Sequence, residues 1–240
     1  MAYLTGFHAI EERLRAGKEA QALLVAKAGP RSREIVRLAL AKQIRVDRVG
    51  AHDLDRIAKD HRGIALEIQT PSGEKDISFD EFLENAQDKT SCLVVILDEI
   101  TDPHNYGAII RCCDQFGVDM VITRNKRTAK YGDVIAKASA GAISWVPRVE
   151  LPNLPRAVED LKEAGFWIFG ADMAGESITK KDFKGKCALI LGSEGAGLSR
   201  LLRENCDALV AIPAIGQIDS LNVSVAAGVI LYEILRQRTP

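Results

Sequence analysis

From Leu93 onward, six short apolar runs alternate with segments of helical periodicity, and this alternation limits the fold more than any other feature. The runs fall at 93–97 (LVVIL), 118–123 (VDMVIT), 145–149, 166–170 (FWIFG), 188–191 and 208–212. The run 93–97 is apolar without a break, as a strand covered on both faces must be. Asn105 lies where a helix cap would be, and a helix from there to Phe116 is closed by Gly117 in the usual left-handed position. Further helices are expected near 136–140, over 155–164 and over 221–236. Strands and helices in strict alternation predict an α/β domain with a mainly parallel sheet covered on both faces.

The front of the chain repeats the pattern on a smaller scale. Ile10 and Leu14 stand at helical spacing in 6–16, with Gly17 as the stop. Strands are expected at 22–26, 44–49 and 63–68, with a helix capped by Ser32 running to about Ala41 and a short one over 53–59. The resulting αβαβαβ layer ends before Pro71, Ser72 and Gly73, which read as a break. Ser78 followed by Glu81 is a capping-box pattern for a short helix over 79–86. The expected organisation is a small α/β domain at 1–71, a linker with one helix at 72–91, and a larger domain at 92–240.

Charge separates the two parts. Residues 1–70 hold 13 Lys/Arg against 9 Asp/Glu, a net of +4, while the whole chain is −1, so the remainder is −5. A basic front suits contact with a polyanion, although a solvated surface explains so small an excess equally well. Arg31, Arg33, Arg37, Lys42, Arg45 and Arg48 cluster around the second helix and the strand after it.

Several function classes are disfavoured. The five cysteines form no C-x-x-C pair, and the four histidines show no metal spacing, so reduced thiols and no metal are expected. No apolar run approaches a membrane span, and the start of the chain lacks the apolar core of a targeting peptide, so a cytoplasmic protein is expected. The first long strand ends LDEITDPHNYG, with neither a dinucleotide-binding glycine fingerprint nor a P-loop. The glycine turn of the common Rossmann-type methyltransferases is absent there, and no G-x-S-x-G elbow occurs.

Three polar groupings remain. Asn105-x-Gly107-x-x-x-Arg111 runs from loop into helix. Gly192-Ser-Glu-Gly-Ala-Gly197 follows an apolar run, where backbone can approach a ligand closely. Ile212 to Asn222 leads directly into the last helix. Each has a structural explanation when taken alone: a cap and a surface cation, a glycine turn with a solvated Glu194, and a cap supplied by Ser220 or Asn222.

Together, N-x-G-x-x-x-R with Phe116-Gly117, LILGSEGAGLS, and IPAIGQIDSLNVSVAAGVILYE resemble the three motifs of the SpoU (TrmH-type) branch of the SPOUT RNA methyltransferases, in the right order and spacing over 92–238. The front domain, with GFHAIEERL and HRGIALE, resembles the ribosomal-protein-like RNA-binding domain of the subgroup that methylates guanosine of 23S rRNA at the ribose 2′-oxygen. The resemblance implies a parallel sheet whose C-terminal segment forms a trefoil knot. It implies S-adenosylmethionine as donor, held mostly by backbone at Gly192, Ile212 and Leu221, and a homodimer with both subunits contributing near each site.

For the chemistry, the resemblance implies that Arg111, Asn105, Glu194, Ser220 and Asn222 form the catalytic set. Asn105 and Asn222 would position Arg111 and the ribose, Ser220 would hydrogen-bond within its loop, and Glu194 would orient Arg111 or the donor. A ribose hydroxyl is a weak nucleophile and needs orientation and a proton acceptor. Arg111 is either that acceptor or, because a guanidinium stays protonated, a bidentate grip on a neighbouring phosphate. Two other readings stand beside the rRNA enzyme: a tRNA 2′-O-methyltransferase, and a non-catalytic rRNA-binding assembly factor. The second of these has no use for Asn105, Arg111 and Asn222 together.

Overall fold

The computed structural model describes residues 2–15, 17, 20–57, 61–68, 77–124, 132–216 and 220–239. It divides into two compact units, Met1–Gly73 and Glu74–Pro240. The break at Pro71, Ser72 and Gly73 lies outside the described residues, as does part of the loop before Ser220.

The first unit is β1 (Ala2–Thr5), α1 (Phe7–Arg15), β2 (Ala22–Val25), α2 (Pro30–Ala41), β3 (Arg45–Arg48), α3 (Ala51–Asp55) and β4 (Ile64–Ile68). The sheet order is β1-β4-β2-β3. Strands β2 and β3 are parallel, and β4 runs antiparallel to both β1 and β2. Strand β1 is absent from the αβαβαβ expectation, because four residues at the chain's start hold too little alternation to register. Its partner β4 is buried along its whole length, as a strand flanked on both sides should be. Ser32 is also not the cap of α2. Gly29 holds that position, and Ser32 stands three residues on, where its hydroxyl accepts from the Gly29 amide at 2.7 Å and donates to the Lys27 carbonyl at 3.0 Å.

The second unit opens with α4 (Phe79–Ala86), capped by the Ser78 hydroxyl on the Glu81 amide. It continues through β5 (Cys92–Leu97), α5 (Pro103–Gln115), β6 (Met120–Arg124), α6 (Gly132–Ala138), β7 (Arg148–Leu151), α7 (Leu154–Glu163), β8 (Trp167–Ser177), β9 (Lys186–Leu191), α8 (Arg200–Glu204), β10 (Ala208–Ala211) and α9 (Val223–Arg238). All six strands are parallel, in the order β10-β8-β9-β5-β6-β7. The third strand begins later than the expected 145–149, because residues 142–144 form a 3-10 turn whose chain does not extend until Arg148.

Alternation of side chains divides the core cleanly. Along β5, Leu93, Val95 and Leu97 face one cluster, while Cys92, Val94 and Ile96 face the other. Strand β9 does the same with Leu189 and Leu191 against Ala188 and Ile190. Helices α5 and α9 cover the first face, and α4, α7 and α8 cover the second. This two-sided burial is why the strands read as unbroken apolar runs.

The far end of α9 is clasped to the sheet. Arg238 donates to the carbonyls of Phe183, Cys92 and Gly185, and Gln237 bridges the Phe183 amide and the Lys181 carbonyl. Two glycines mark tight crossings. A Cβ on Gly175 would lie 2.5 Å from the Leu209 and Val210 backbone, where β10 changes register on β8. A Cβ on Gly107 would lie 2.5 Å from the Ala138 Cβ and 2.9 Å from the Ile135 carbonyl. Gly107 therefore lets α5 approach α6. Gly107→Ala is expected to destabilise the protein by about 1–3 kcal/mol, the usual cost of overpacking; a urea unfolding midpoint equal to the parent's would refute this.

Candidate functional site

Open parallel sheets bind ligands beyond the carboxyl ends of their strands, where neighbouring connections leave on opposite faces. Strands β5 and β9 are such neighbours. Helix α5, which follows β5, packs on the first face through Tyr106, Ile109, Ile110 and Cys113. The chain after β9 packs on the second through Leu198 and Leu202. The crevice between these two connections is where the first two polar groupings meet.

Helix α5 is capped by Asp102, whose carboxylate accepts from the Asn105 amide at 3.0 Å. Asn105 is thus not the cap but stands one turn inside, with its side chain free to reach across the crevice. The cap is Asp102 because the orphan amides of a first turn lie two and three residues beyond the capping side chain. After β9 the chain folds back on itself: Ser193 and Gly197 exchange amide and carbonyl at 3.0 Å each way. Gly195 and Gly197 take left-handed backbone, at φ +91° and +68°. Gly192 is buried, and a Cβ there would fall 2.2 Å from the Gly197 carbonyl carbon, so only glycine fits the neck of this loop.

The loop presents Glu194 to the two asparagines. Asn105 Nδ2 donates to Glu194 Oε1 at 2.8 Å, and Asn222 Nδ2 donates to the same oxygen at 2.6 Å and to Asn105 Oδ1 at 3.0 Å. Three side chains from three separate segments therefore close a triangle. The other face of Asn222 is engaged by α9. Its Oδ1 caps the helix, accepting from the Ser224 amide at 2.9 Å and the Ser224 hydroxyl at 2.6 Å. That bond fixes which way the amide points, so Nδ2 has to face Glu194. Glu194 and Asn222 are exposed, leaving the triangle open to a ligand.

Arg111 is not part of this triangle. Among the described residues it makes no hydrogen bond or ion pair, and it is exposed. It follows Asn105 by six residues, about 9 Å along the helix axis and on a different azimuth. Within one chain, Asn105, Asn222 and Glu194 bond to one another and not to Arg111. Ser220 is exposed and, among the described residues, makes no hydrogen bond of the kind expected within its loop. Gly192 and Ile212 stand just past the ends of β9 and β10, and Leu221 directly precedes Asn222. Residues 217–219 of the third grouping lie outside the described residues.

The sequence reading missed Asp98. This carboxylate is 2% exposed and accepts from the Ser199 amide at 2.7 Å, tying the end of β5 to the start of α8. A charged residue directly after an unbroken apolar strand was the available signal. Cysteine chemistry does not compete for the site. Burial pushes the Cys92 thiol up to about 12 and those of Cys187 and Cys206 up to about 11, and it raises Cys112 and Cys113 as well, so none is a ready thiolate. Among the described residues, no group of His, Cys, Asp and Glu could hold a metal ion, and no helix is long and apolar enough to cross a membrane.

Comparison with known proteins places this geometry. Residues 92–232 match the model of the SpoU rRNA Methylase family. Residues 3–73 match the model described as RNA 2′-O ribose methyltransferase substrate binding. An uncharacterized tRNA/rRNA methyltransferase of Borreliella burgdorferi is 41% identical over 218 residues, covering 88% of this chain and 96% of that protein. The 23S rRNA (guanosine-2′-O-)-methyltransferase of Neisseria meningitidis serogroup B is 38% identical over 239 residues, covering 97% and 94%. Among solved structures, the SpoU methyltransferase AviRb from Streptomyces viridochromogenes in complex with AdoMet is similar with a TM-score of 0.66 and 26% identity, covering 98% of this chain and 90% of that one.

The double duty of Asn222 can be separated. Asn222→Ala should cost about 1 kcal/mol of stability through the lost cap, whereas Asn222→Ser should restore most of it, since serine caps as well as asparagine. Thermal unfolding of the two variants checks this; equal stability would mean that the cap contributes nothing.

Proposed function

The chain belongs to the SpoU rRNA methylase family, and we propose that it methylates a guanosine of 23S rRNA at the ribose 2′-oxygen, with the Asn105–Glu194–Asn222 triangle as the ribose site. It is an S-adenosylmethionine-dependent rRNA 2′-O-methyltransferase. The observation that supports the site most directly is the convergence of two asparagine amides, from the starts of α5 and α9, on one Glu194 carboxylate oxygen at the crevice beyond β5 and β9.

The residues present fit the donor. Gly192 is required at the neck of the glycine loop because the Gly197 backbone fills the space a Cβ would take, which holds the loop in one shape beside the crevice. Pro213–Gly216 take no backbone partner among the described residues, so their peptide groups are available to a ligand. Ile215 and Leu221 are exposed apolar side chains, of a kind suited to the faces of an aromatic base. Gly192, Ile212 and Leu221 would hold the group, which when bound supplies an electrophilic methyl on a sulfonium.

The chain's own residues orient the acceptor. Glu194 and the two asparagine amides offer hydrogen bonds to ribose hydroxyls from a fixed frame, which is where positioning lowers a barrier. Arg111, exposed and without an acidic partner, is placed to take a backbone phosphate bidentately, which suits a permanently charged guanidinium better than accepting a proton. Ser220, exposed two residues before Asn222, would add a hydroxyl to the same loop.

The protein would act as a homodimer in the cytoplasm. Helix α9 supports the first part, because it is apolar on two opposite sides. Ala227, Ile230, Leu231 and Ile234 are buried, while Val225, Val229 and Tyr232 form an exposed stripe on the other side. An apolar stripe facing away from the core marks an interface.

Mapping ribose methylation in total RNA from cells with and without the protein tests the function; a single 23S guanosine should lose its mark. Arg111→Ala should abolish that mark and the transfer of labelled methyl in vitro, yet leave donor binding by calorimetry nearly unchanged. Retained turnover, or turnover lost together with donor binding, would sink the assignment of Arg111. Val225→Arg with Val229→Arg should convert the protein to a monomer in light scattering without loss of circular dichroism. A parent that is already monomeric would remove the dimer.

A further inference from the structure

The first unit brings several exposed cations to one end of its sheet. Val25 is the register partner of both Arg48 on β3 and Ile64 on β4, so the end of β2, the end of β3 and the start of β4 coincide. Backbone bonds extend that edge: the Ala26 and Lys27 amides donate to the Gly63 carbonyl at 3.0 and 3.3 Å, and the Val49 amide donates to the Val25 carbonyl at 3.2 Å. Helix α2 starts here too, because Ser32 in its first turn donates to the Lys27 carbonyl. Lys27, Arg31, Arg33, Arg48 and Arg62 therefore arrive together.

Their pairing differs. Arg31 is held by Glu11 and Glu34. Lys27, Arg33, Arg48 and Arg62 are exposed and, among the described residues, have no acidic partner. Among the described residues, Asp53 and Asp55 near this end are already engaged: Asp53 accepts from the Gly50 amide, and Asp55 bonds the His61 ring at 3.1 Å. Arg62 is also strained. It sits at φ +53°, between His61 and Gly63, whose amide donates to His61 Nδ1 at 2.9 Å. Left-handed backbone at a long side chain costs free energy and tends to persist where it aims a group.

We infer that this edge, formed by Lys27, Arg33, Arg48 and Arg62, is where the unit grips the phosphate backbone of its RNA substrate. The inference rests on the proposed function, and adds the face. Cations free of carboxylates recognise phosphates and set register, without reading bases. The opposite edge offers less. Lys42 is exposed there, but Arg45 at the start of β3 is paired with Asp47 at 2.9 Å.

The test compares two double charge reversals in the full-length protein, Arg33→Glu with Arg48→Glu and Lys42→Glu with Arg45→Glu, which change net charge equally. Affinity for a transcript of the 23S rRNA domain carrying the methylated guanosine is measured against salt. The first pair should lose about tenfold or more in affinity, and its log–log salt slope should fall by about 2, roughly one per lost phosphate contact. The second pair should bind nearly as the parent does. Circular dichroism and donor calorimetry verify folding, and Arg33→Gln with Arg48→Gln should give the same ordering with a smaller loss. Equal losses at both edges, or none at the first, would overturn the docking edge alone. A parent that neither binds nor methylates rRNA would overturn the functional reading and the edge with it.

Discussion

One buried carboxylate holds the site's architecture together. The Asp98 amide donates to the Leu191 carbonyl at 2.9 Å, so its backbone continues the ladder between β5 and β9. Its side chain, sealed from solvent, receives the Ser199 amide. Burying a carboxylate without partners costs several kcal/mol, so a strong amide bond is the condition for its being there. The consequence is that residues 192–199 are pinned at both ends. The loop between has one neck, at Gly192, where the backbone of Gly197 leaves no room for a side chain. Glu194 stands where it does because both of its flanks are fixed.

Much of this was legible before any coordinates. Strands β5, β6 and β9 were visible because both faces of the sheet are covered there, which turns a strand into an apolar run, whereas β7, with the sequence RVEL, is no such run and was expected three residues early. Strand β1 was not, since four edge residues at the chain's start carry no period. The two misread caps share one cause. Ser32 and Asn105 are good capping residues by type, but each stands at the third helical position, and Gly29 and Asp102 fill the caps. Side-chain chemistry identifies a capping residue, whereas only backbone geometry identifies its place in the turn. The triangle was legible as three separate motifs and illegible as a contact, because its members are 28 to 117 residues apart.

The two ends of α9 explain how an exposed triangle can keep its shape. At the far end, Arg238 and Gln237 bond to the carbonyls and amide of the chain between Lys181 and Gly185. In the middle, the helix is buried against α5 and the sheet. At the near end, Asn222 spends one side of its amide on the helix cap, which removes the freedom to flip that a surface asparagine normally has. A side chain with one orientation bound by the backbone needs no further ordering when a ligand arrives, which is the advantage of preorganisation.

Arg111 is built on the opposite principle, and the contrast says what each group is for. Had Glu194 turned to Arg111, the pair would have blunted the acceptor that the asparagines hold in place. Instead, Glu194 Oε1 is satisfied twice by neutral amides, which fix its direction without cancelling its charge. Arg111 stays solvated on α5 with its full complement of donors. Under the function proposed above, the negative, rigid triangle would meet the hydroxyls of a ribose and Arg111 a phosphate, two groups that alternate along an RNA strand, so a cation kept out of the triangle would serve the second without weakening the first.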